Sequence, residues 1–229
     1  MADMDHPGGI PRAFEVLLAL AGIIITLPLL FLIAALVCTT SQGPVFFRQS
    51  RMGRCGTPFT LVKFRSMYVN SAGPQVTAKG DSRVTPLGRL LRKAKLDELP
   101  QFLNVLQGHL SLVGPRPEVP KYVALDNPLW QQILQCRPGI TDPVTLSLRN
   151  EEELLESLPG DPEDFYLSLL QPYKLLGYMD YIQDRTWRTD VRVLLASIRA
   201  VLFPSATQAP TIEEIRKFLI KKTCTSSPT

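Results

Sequence analysis

From Val16 to Val37 the chain carries no charged residue, and no other stretch restricts the fold as severely. These 22 residues are enough to cross the hydrocarbon of a bilayer as a helix, which takes about 20. The only cation just ahead of the run is Arg12, and no A-x-A site follows, so a cleaved signal peptide fits poorly. A single spanning helix is the simplest reading. Pro28 offers another: in mid-run it removes a backbone donor and clashes with the preceding turn, so the segment can break there and return to the face it entered. Arg12 precedes the run and Arg48, Arg51 and Arg54 follow it, so the bias of cations toward the cytoplasm selects no spanning orientation.

The 229 residues suffice for one modest domain, and 45% hydrophobic residues with 20 prolines fit neither a disordered nor a collagen-like chain. Net charge is only +4 but unevenly spread: Arg48–Lys95 holds eleven Lys/Arg against the single acid Asp81. Such a block suits phosphates or anionic lipid. Nucleic acid is disfavoured, because no recognised binding motif or aromatic stacking platform accompanies it. Cys38, Cys55, Cys136 and Cys224 are far apart, and His6 and His109 are isolated, so neither structural zinc nor a disulfide framework is expected.

The chemistry concentrates between Lys95 and Pro117. Asp97 and Glu98 are adjacent, and Leu99, Phe102, Leu103 and Leu106 recur at helical spacing behind them. Asp97 reads as an N-cap, Pro100 as a first-turn proline and Gly108 as a left-handed stop. This places both carboxylates at a positive helix end. Upstream, Thr85-Pro86 opens another helix that carries Arg89, Arg92 and Lys93. Downstream, Pro115-Arg116-Pro117 holds an arginine in stiff extended chain. Carboxylates between arginines point to a phosphate site whose acid attacks phosphorus or holds a metal; salt-bridged surface acids are the plainer alternative.

Elsewhere, Val45–Gln49 and Phe59–Phe64 read as a hairpin with a glycine-containing turn, carrying Arg48, Arg51, Lys63 and Arg65. Residues 1–9 read as a loose terminus and Asn70–Ser82 as a mobile loop. Glu118–Gln135 reads as helical, interrupted at Pro128, and the acids of Glu151–Asp164 as a solvated helix face. Leu194, Leu195, Ile198, Val201 and Leu202 line one side of a basic helix that begins near Trp187, either in a membrane interface or in a core.

D-E-L-P-Q-F-L-N-V-L (97–106) and S-L-V-G-P-R-P (111–117) resemble the signature of the bacterial monotopic phosphoglycosyl transferases. Q-S-R-M-G (49–53), K-F-R-S-M (63–67), R-P-G-I-T (137–141) and the segment from Gly177 extend the likeness over about Arg12 to Phe203. The chain departs from that pattern at Leu27, where a serine is usual before the proline, and at Glu15, where an aspartate is usual. After Thr141 it has D-P-V-T-L-S in place of G-W-A-Q-V-N, a change expected to bear on sugar choice.

The resemblance implies an α+β, mostly helical fold. Its parts would be a re-entrant membrane helix over 1–40 broken at Pro28, a catalytic domain over 41–203 with a short β-hairpin and interfacial amphipathic helices, and a peripheral tail over 204–229. It also implies a monotopic enzyme of the bacterial cytoplasmic membrane, with its catalytic domain facing the cytoplasm. That enzyme would pass a phosphosugar from a UDP-sugar to polyprenol (undecaprenyl) phosphate, the first membrane step of polysaccharide or glycoconjugate assembly. Asp97 would be the nucleophile and Glu98 would serve Mg2+. Arg92, Arg116, Lys63, Arg65 and Arg137, with Pro115 and Pro117, would border phosphates and nucleotide. Two other readings stand beside it: a direct metal-dependent transferase without a covalent step, and a non-catalytic adaptor that binds anionic lipid through the basic block.

Overall fold

The computed structural model describes residues 8–69, 76–77, 80–149, 151–156, 160–203 and 209–225. Most of the loose terminus expected at 1–9, most of the loop expected at 70–82 and both ends of the tail lie outside these residues. The fold is mostly helical, with a few short strands and one long apolar N-terminal helix.

That helix, α1, runs from Arg12 to Thr40, and Pro28 lies inside it without ending it. It is long and apolar enough to cross a membrane. Leu17, Ile24, Ile25 and Phe31 on it are each more than 60% exposed. Both of its ends nonetheless hold to the globular part. At the start, Arg12 donates to the carbonyls of Leu110 and Val105, and buried Glu15 accepts from Arg12 at 3.1 Å and from the Leu112 N–H at 3.2 Å. At the end, Ile33 and Val37 pack with Phe64 and Leu91.

Strands β1 (Phe46–Met52) and β2 (Pro58–Phe64) form an antiparallel hairpin with Phe46 opposite Phe64 and Met52 opposite Pro58. The first strand continues past the expected Gln49 because the turn is tight: the Gly53 N–H donates to the Thr57 carbonyl at 3.0 Å, with Cys55 at φ 56°. Helix α2 (Pro86–Lys93) is capped as its sequence indicates, by Thr85 Oγ1 accepting from the Gly88 N–H at 2.9 Å. A 3-10 turn (Leu96–Glu98) then leads to α3 (Gln101–Leu106), and Gly108 takes φ 84° where the helix stops.

Next, β3 (Ser111–Val113) pairs in parallel with β4 (Gly139–Thr141). The backbones approach so closely that a Cβ on Gly139 would lie 2.1 Å from the Gly114 nitrogen, which only glycine permits. Between these strands the helix expected over 118–135 is two short pieces, a 3-10 turn (Pro120–Tyr122) and α4 (Pro128–Ile133), because Asn127 caps a fresh start at Pro128. Short helices α5 (Pro143–Ser147), α6 (Glu151–Glu156) and α7 (Pro162–Phe165) follow, and a π-helical turn (Tyr166–Leu170) feeds α8 (Gln171–Gln183).

Two helices complete the described chain. In α9 (Trp187–Leu202), Val193 and Ala200 face inward, while Leu195, Ile198 and Leu202 are 57–65% exposed. This unpartnered apolar stripe beside Arg188, Arg192 and Arg199 has the make-up of an interfacial helix. In α10 (Ile212–Thr225), Ile215 is fully buried in the largest core and Phe218 meets the Tyr173 ring at 5.0 Å, so part of the tail expected to be peripheral packs into the fold.

Candidate active site

The site begins where α2 ends. Lys95 turns left-handed at φ 58°, and its N–H donates to the Arg92 carbonyl at 3.1 Å, which swings the chain into the 3-10 turn that carries Asp97 and Glu98. Asp97 therefore lies inside that turn and does not cap α3, whose cap position falls to Pro100 with no side-chain bond. The expected apolar face is also reoriented. Gln101, Asn104 and Val105 point inward, while Phe102 lies against Gly22 of α1 and Leu103 is 43% exposed. Asn104 explains the rotation. Its side-chain carbonyl accepts from the Val62 N–H at 3.0 Å and its amide donates to the Thr60 carbonyl at 2.8 Å, so it completes the edge of β2 as a neighbouring strand would. This clamp brings the acidic turn against the strand that carries Lys63. Motif reading singled out the flanking acids and missed Asn104, whose signal is an amide within an otherwise apolar helix.

Asp97 is 3% exposed, and its Oδ1 is buried without a hydrogen-bond partner. Burial, and then the neighbouring Glu98 carboxylate, push its pKa up, while Lys63, Lys95 and Arg92 pull it down. Glu98 has the opposite balance. Burial alone would raise it, but Arg116, Lys95 and Lys63 outweigh that and hold it at about 2. Arg116 grips it with both ends of its guanidinium, Nη2 to Oε1 at 2.6 Å and Nη1 to Oε2 at 3.2 Å. Such a fork is stronger and more directional than a single contact. The turn thus holds one carboxylate firmly ionised and locked beside another that is poorly solvated and unpaired.

Arg116 owes its pose to the strap around it. The Gly139 N–H donates to the Pro115 carbonyl and the Gly114 N–H to the Thr141 carbonyl, both at 3.0 Å, and Arg116 Nη1 reaches the Ile140 carbonyl at 3.3 Å. Arg51 donates to the Pro117 carbonyl at 3.1 Å from the other side. The R-P-G-I-T element therefore braces the P-R-P element.

The remaining candidate cations divide. Lys63 is partly buried, and burial lowers its pKa to about 8 against the opposing pull of Asp97. Arg92 also acts on Asp97, and its guanidinium donates to Ser66 Oγ at 3.1 Å and to Glu152 at 2.9 Å. Arg65 is committed elsewhere: 4% exposed, it donates to the carbonyls of Ser41 and Pro44, each at 2.6 Å, and of Val37 at 3.2 Å. Its place beyond Phe64, where β2 meets the end of α1, turns its Nη donors to that helix end. Arg137 acts on Glu15 at the start of α1.

Among the described residues no three His, Cys, Asp or Glu side chains converge as a metal cage. Magnesium shared with a diphosphate requires only one or two carboxylates besides phosphate and water. The Asp97–Glu98 pair suits such an ion, offering hard oxygens and one buried oxygen with no partner. Since both Glu98 oxygens already accept from Arg116, an ion there would share that carboxylate with the arginine.

The structure thus sets a largely buried carboxylate pair among arginines and lysines in a fold that also carries one long apolar helix. The profile of the bacterial sugar transferases matches residues 8–204, and the chain belongs to that family. It is 38% identical over 181 residues to the UDP-glucose:undecaprenyl-phosphate glucose-1-phosphate transferase of Caulobacter vibrioides, covering 76% of this chain and 63% of that protein. It is 34% identical over 198 residues to the UDP-N-acetylgalactosamine-undecaprenyl-phosphate N-acetylgalactosaminephosphotransferase of Aeromonas hydrophila, covering 84% of this chain and 44% of that one. The chain thus spans less than two thirds of the length of these two relatives. The sugar transferase EpsL of Bacillus subtilis is 32% identical over 197 residues, covering 86% of this chain and 89% of its own.

Proposed function

We propose that the protein transfers a phosphosugar from a UDP-sugar to a polyprenol phosphate at the cytoplasmic face of the membrane, releasing UMP, with Asp97 as a covalent nucleophile. The observation that carries this reading is the unequal carboxylate pair: Asp97 with a buried, unpartnered oxygen among Lys63, Lys95 and Arg92, beside Glu98 locked by Arg116. The names of the relatives supply the substrate class.

In the first step an Asp97 oxygen attacks the sugar-bearing phosphorus. The bond from that phosphorus to the bridging oxygen breaks, and UMP departs with the electron pair. In the second step an oxygen of the polyprenol phosphate attacks the same phosphorus, the phosphorus–Asp97 bond breaks, and the carboxylate is restored. Two displacements replace one difficult one. Poor solvation makes the Asp97 anion a stronger nucleophile, and the surrounding cations oppose the rise in its pKa that burial causes. Arg92 and Lys63 face the negative charge on the transferred group, and Arg116 keeps Glu98 ionised and fixed. Mg2+, held by Glu98 and the diphosphate, would neutralise charge on the leaving group.

The membrane arrangement belongs to the same reading. A lipid acceptor and a soluble donor meet only in the headgroup layer. Attachment of both ends of α1 to one globular part, together with the exposed stripe of α9, supports a segment whose two ends lie on the same face.

The test is rapid-quench UMP release with and without acceptor, followed by intact-protein mass spectrometry. With the correct UDP-sugar and magnesium alone, the protein should release a stoichiometric burst of UMP and gain one phosphosugar at Asp97. Release that strictly requires the acceptor, with no adduct, would establish the direct route. No release with any UDP-sugar or acceptor would leave the adaptor.

A further inference from the structure

The acids after Asn150 read as a solvated face in the sequence, yet Glu152 on α6 reaches across to Arg92, its carboxylate 2.9 Å from Nη1. The partners differ in exposure. The Arg92 side chain is 17% exposed and that of Glu152 is 46% exposed, so a carboxylate open to water dips onto an arginine of the candidate site. The contact is not what holds α6 in place. Lys174, only 10% exposed, pairs with Glu151 at 2.8 Å, and Leu155 of the same helix is buried in the largest core. Arg92 likewise has a separate anchor in Ser66 Oγ, reached through Nε. Nη2 reaches Thr77 Oγ1 at 3.5 Å, so Glu152 sits on Nη1, the guanidinium nitrogen left over after the arginine has been positioned and the one from which a second anion would be bound.

We propose that Glu152 is an internal anion that occupies Arg92 in the empty site and is displaced by a phosphate of the incoming donor. The inference rests on the reading of Arg92 as a phosphate ligand. Rotation of one half-exposed side chain into water is enough to free the arginine. A diphosphate outcompetes the carboxylate because it carries more charge and meets Lys63 as well as Arg92. A half-exposed ion pair is weak, which suits a contact that must yield. The same carboxylate would retake Arg92 as UMP leaves, which favours product release. Glu152 thereby sets the affinity of this subsite for phosphate without touching the reacting atoms.

The experiment is calorimetric titration of UDP with magnesium into the full-length detergent-solubilised protein, comparing wild type, Glu152→Gln, Arg92→Ala and the double variant. Glutamine keeps the shape and removes the charge, and the Lys174–Glu151 pair and buried Leu155 still hold α6. Glu152→Gln should tighten UDP binding about three- to fivefold, the scale of one exposed ion pair. In the Arg92→Ala background the same change should have no effect. An unchanged or weaker affinity in Glu152→Gln, while wild type binds UDP, would overturn the inference and leave the proposed function standing. An equal gain in both backgrounds would also overturn it, because the effect would then be a general field and not competition for Arg92. If no variant bound UDP, the reading of the site itself would fail and the inference with it.

Discussion

Arg116 meets Glu98 through two hydrogen bonds from one guanidinium, at 2.6 and 3.2 Å, and this fork fixes the carboxylate next to Asp97. Arg116→Ala should cost about 2–4 kcal/mol of transition-state stabilisation. Arg116→Lys should recover only part, because an ammonium cannot span both oxygens. The measurement is kcat/KM for UMP release, and equal values in all three proteins would remove the fork from the mechanism.

Asp97 supports a prediction about stability. Burial raises its pKa in the folded state, so the folded protein disfavours the ionised form, and this cost is present at neutral pH and relieved as pH falls. Asp97→Asn should abolish adduct formation and at the same time raise Tm at pH 7, by about 2–4 °C for each kcal/mol relieved. The gain over wild type should shrink in acid. A Tm below that of wild type at pH 7 would show that the carboxylate is better accommodated than its surroundings indicate.

Lys63 sets an alkaline limit. Its pKa is lowered to about 8, so the cation facing Asp97 is present below that value and lost above it. The kcat/KM profile, which reports the free enzyme, should fall as pH rises through about 8. Lys63→Arg, charged at every accessible pH, should flatten that limb. An unaltered limb in the variant would assign the titration to another group.

Arg65 separates structure from chemistry. Arg65→Ala strips the donor from the carbonyls of Val37, Ser41 and Pro44, and each loss should cost about 1–3 kcal/mol if the carbonyl stays dry. Thermal unfolding should show a large drop in Tm, while KM for the UDP-sugar in the folded fraction stays near wild type. A KM raised at least tenfold would return Arg65 to the phosphate site.

The path of α1 can be tested in intact cells. Single cysteines at positions 5 and 226, in a background lacking the native four, should be equally protected from an impermeant thiol reagent. Labelling at position 5 alone would indicate a helix that crosses the bilayer.

Local signals proved readable in this chain. The hairpin followed from aromatic and β-branched runs around a glycine turn, the start of α2 from Thr85-Pro86, and the stop of α3 from Gly108, because each depends on a few adjacent residues. The acidic dyad was legible as a motif, but its pose was not. Lys95 adopts a left-handed conformation unusual for lysine, and Asn104 rotates α3 to satisfy β2, whose Val62 lies 42 residues away in the chain. The β3–β4 pair is three residues long and parallel, so its strands carry no periodic pattern of their own. The partners of Arg65 and Glu152 were not legible, because composition reveals a charge but not which way it faces.

The attachment of α1 at both ends has a consequence for how the protein is made. Glu15 supplies the acceptor for the Leu112 N–H, Ala19 sits in the core with Val105 and Val113, and Val37 closes the cluster around Phe64. The hairpin and β3 cannot complete their packing until this helix is in place, although it leaves the ribosome first. Placement of this helix and folding of the domain are therefore one coupled event, and a shortened version lacking residues 1–40 should emerge as an aggregating, part-folded chain.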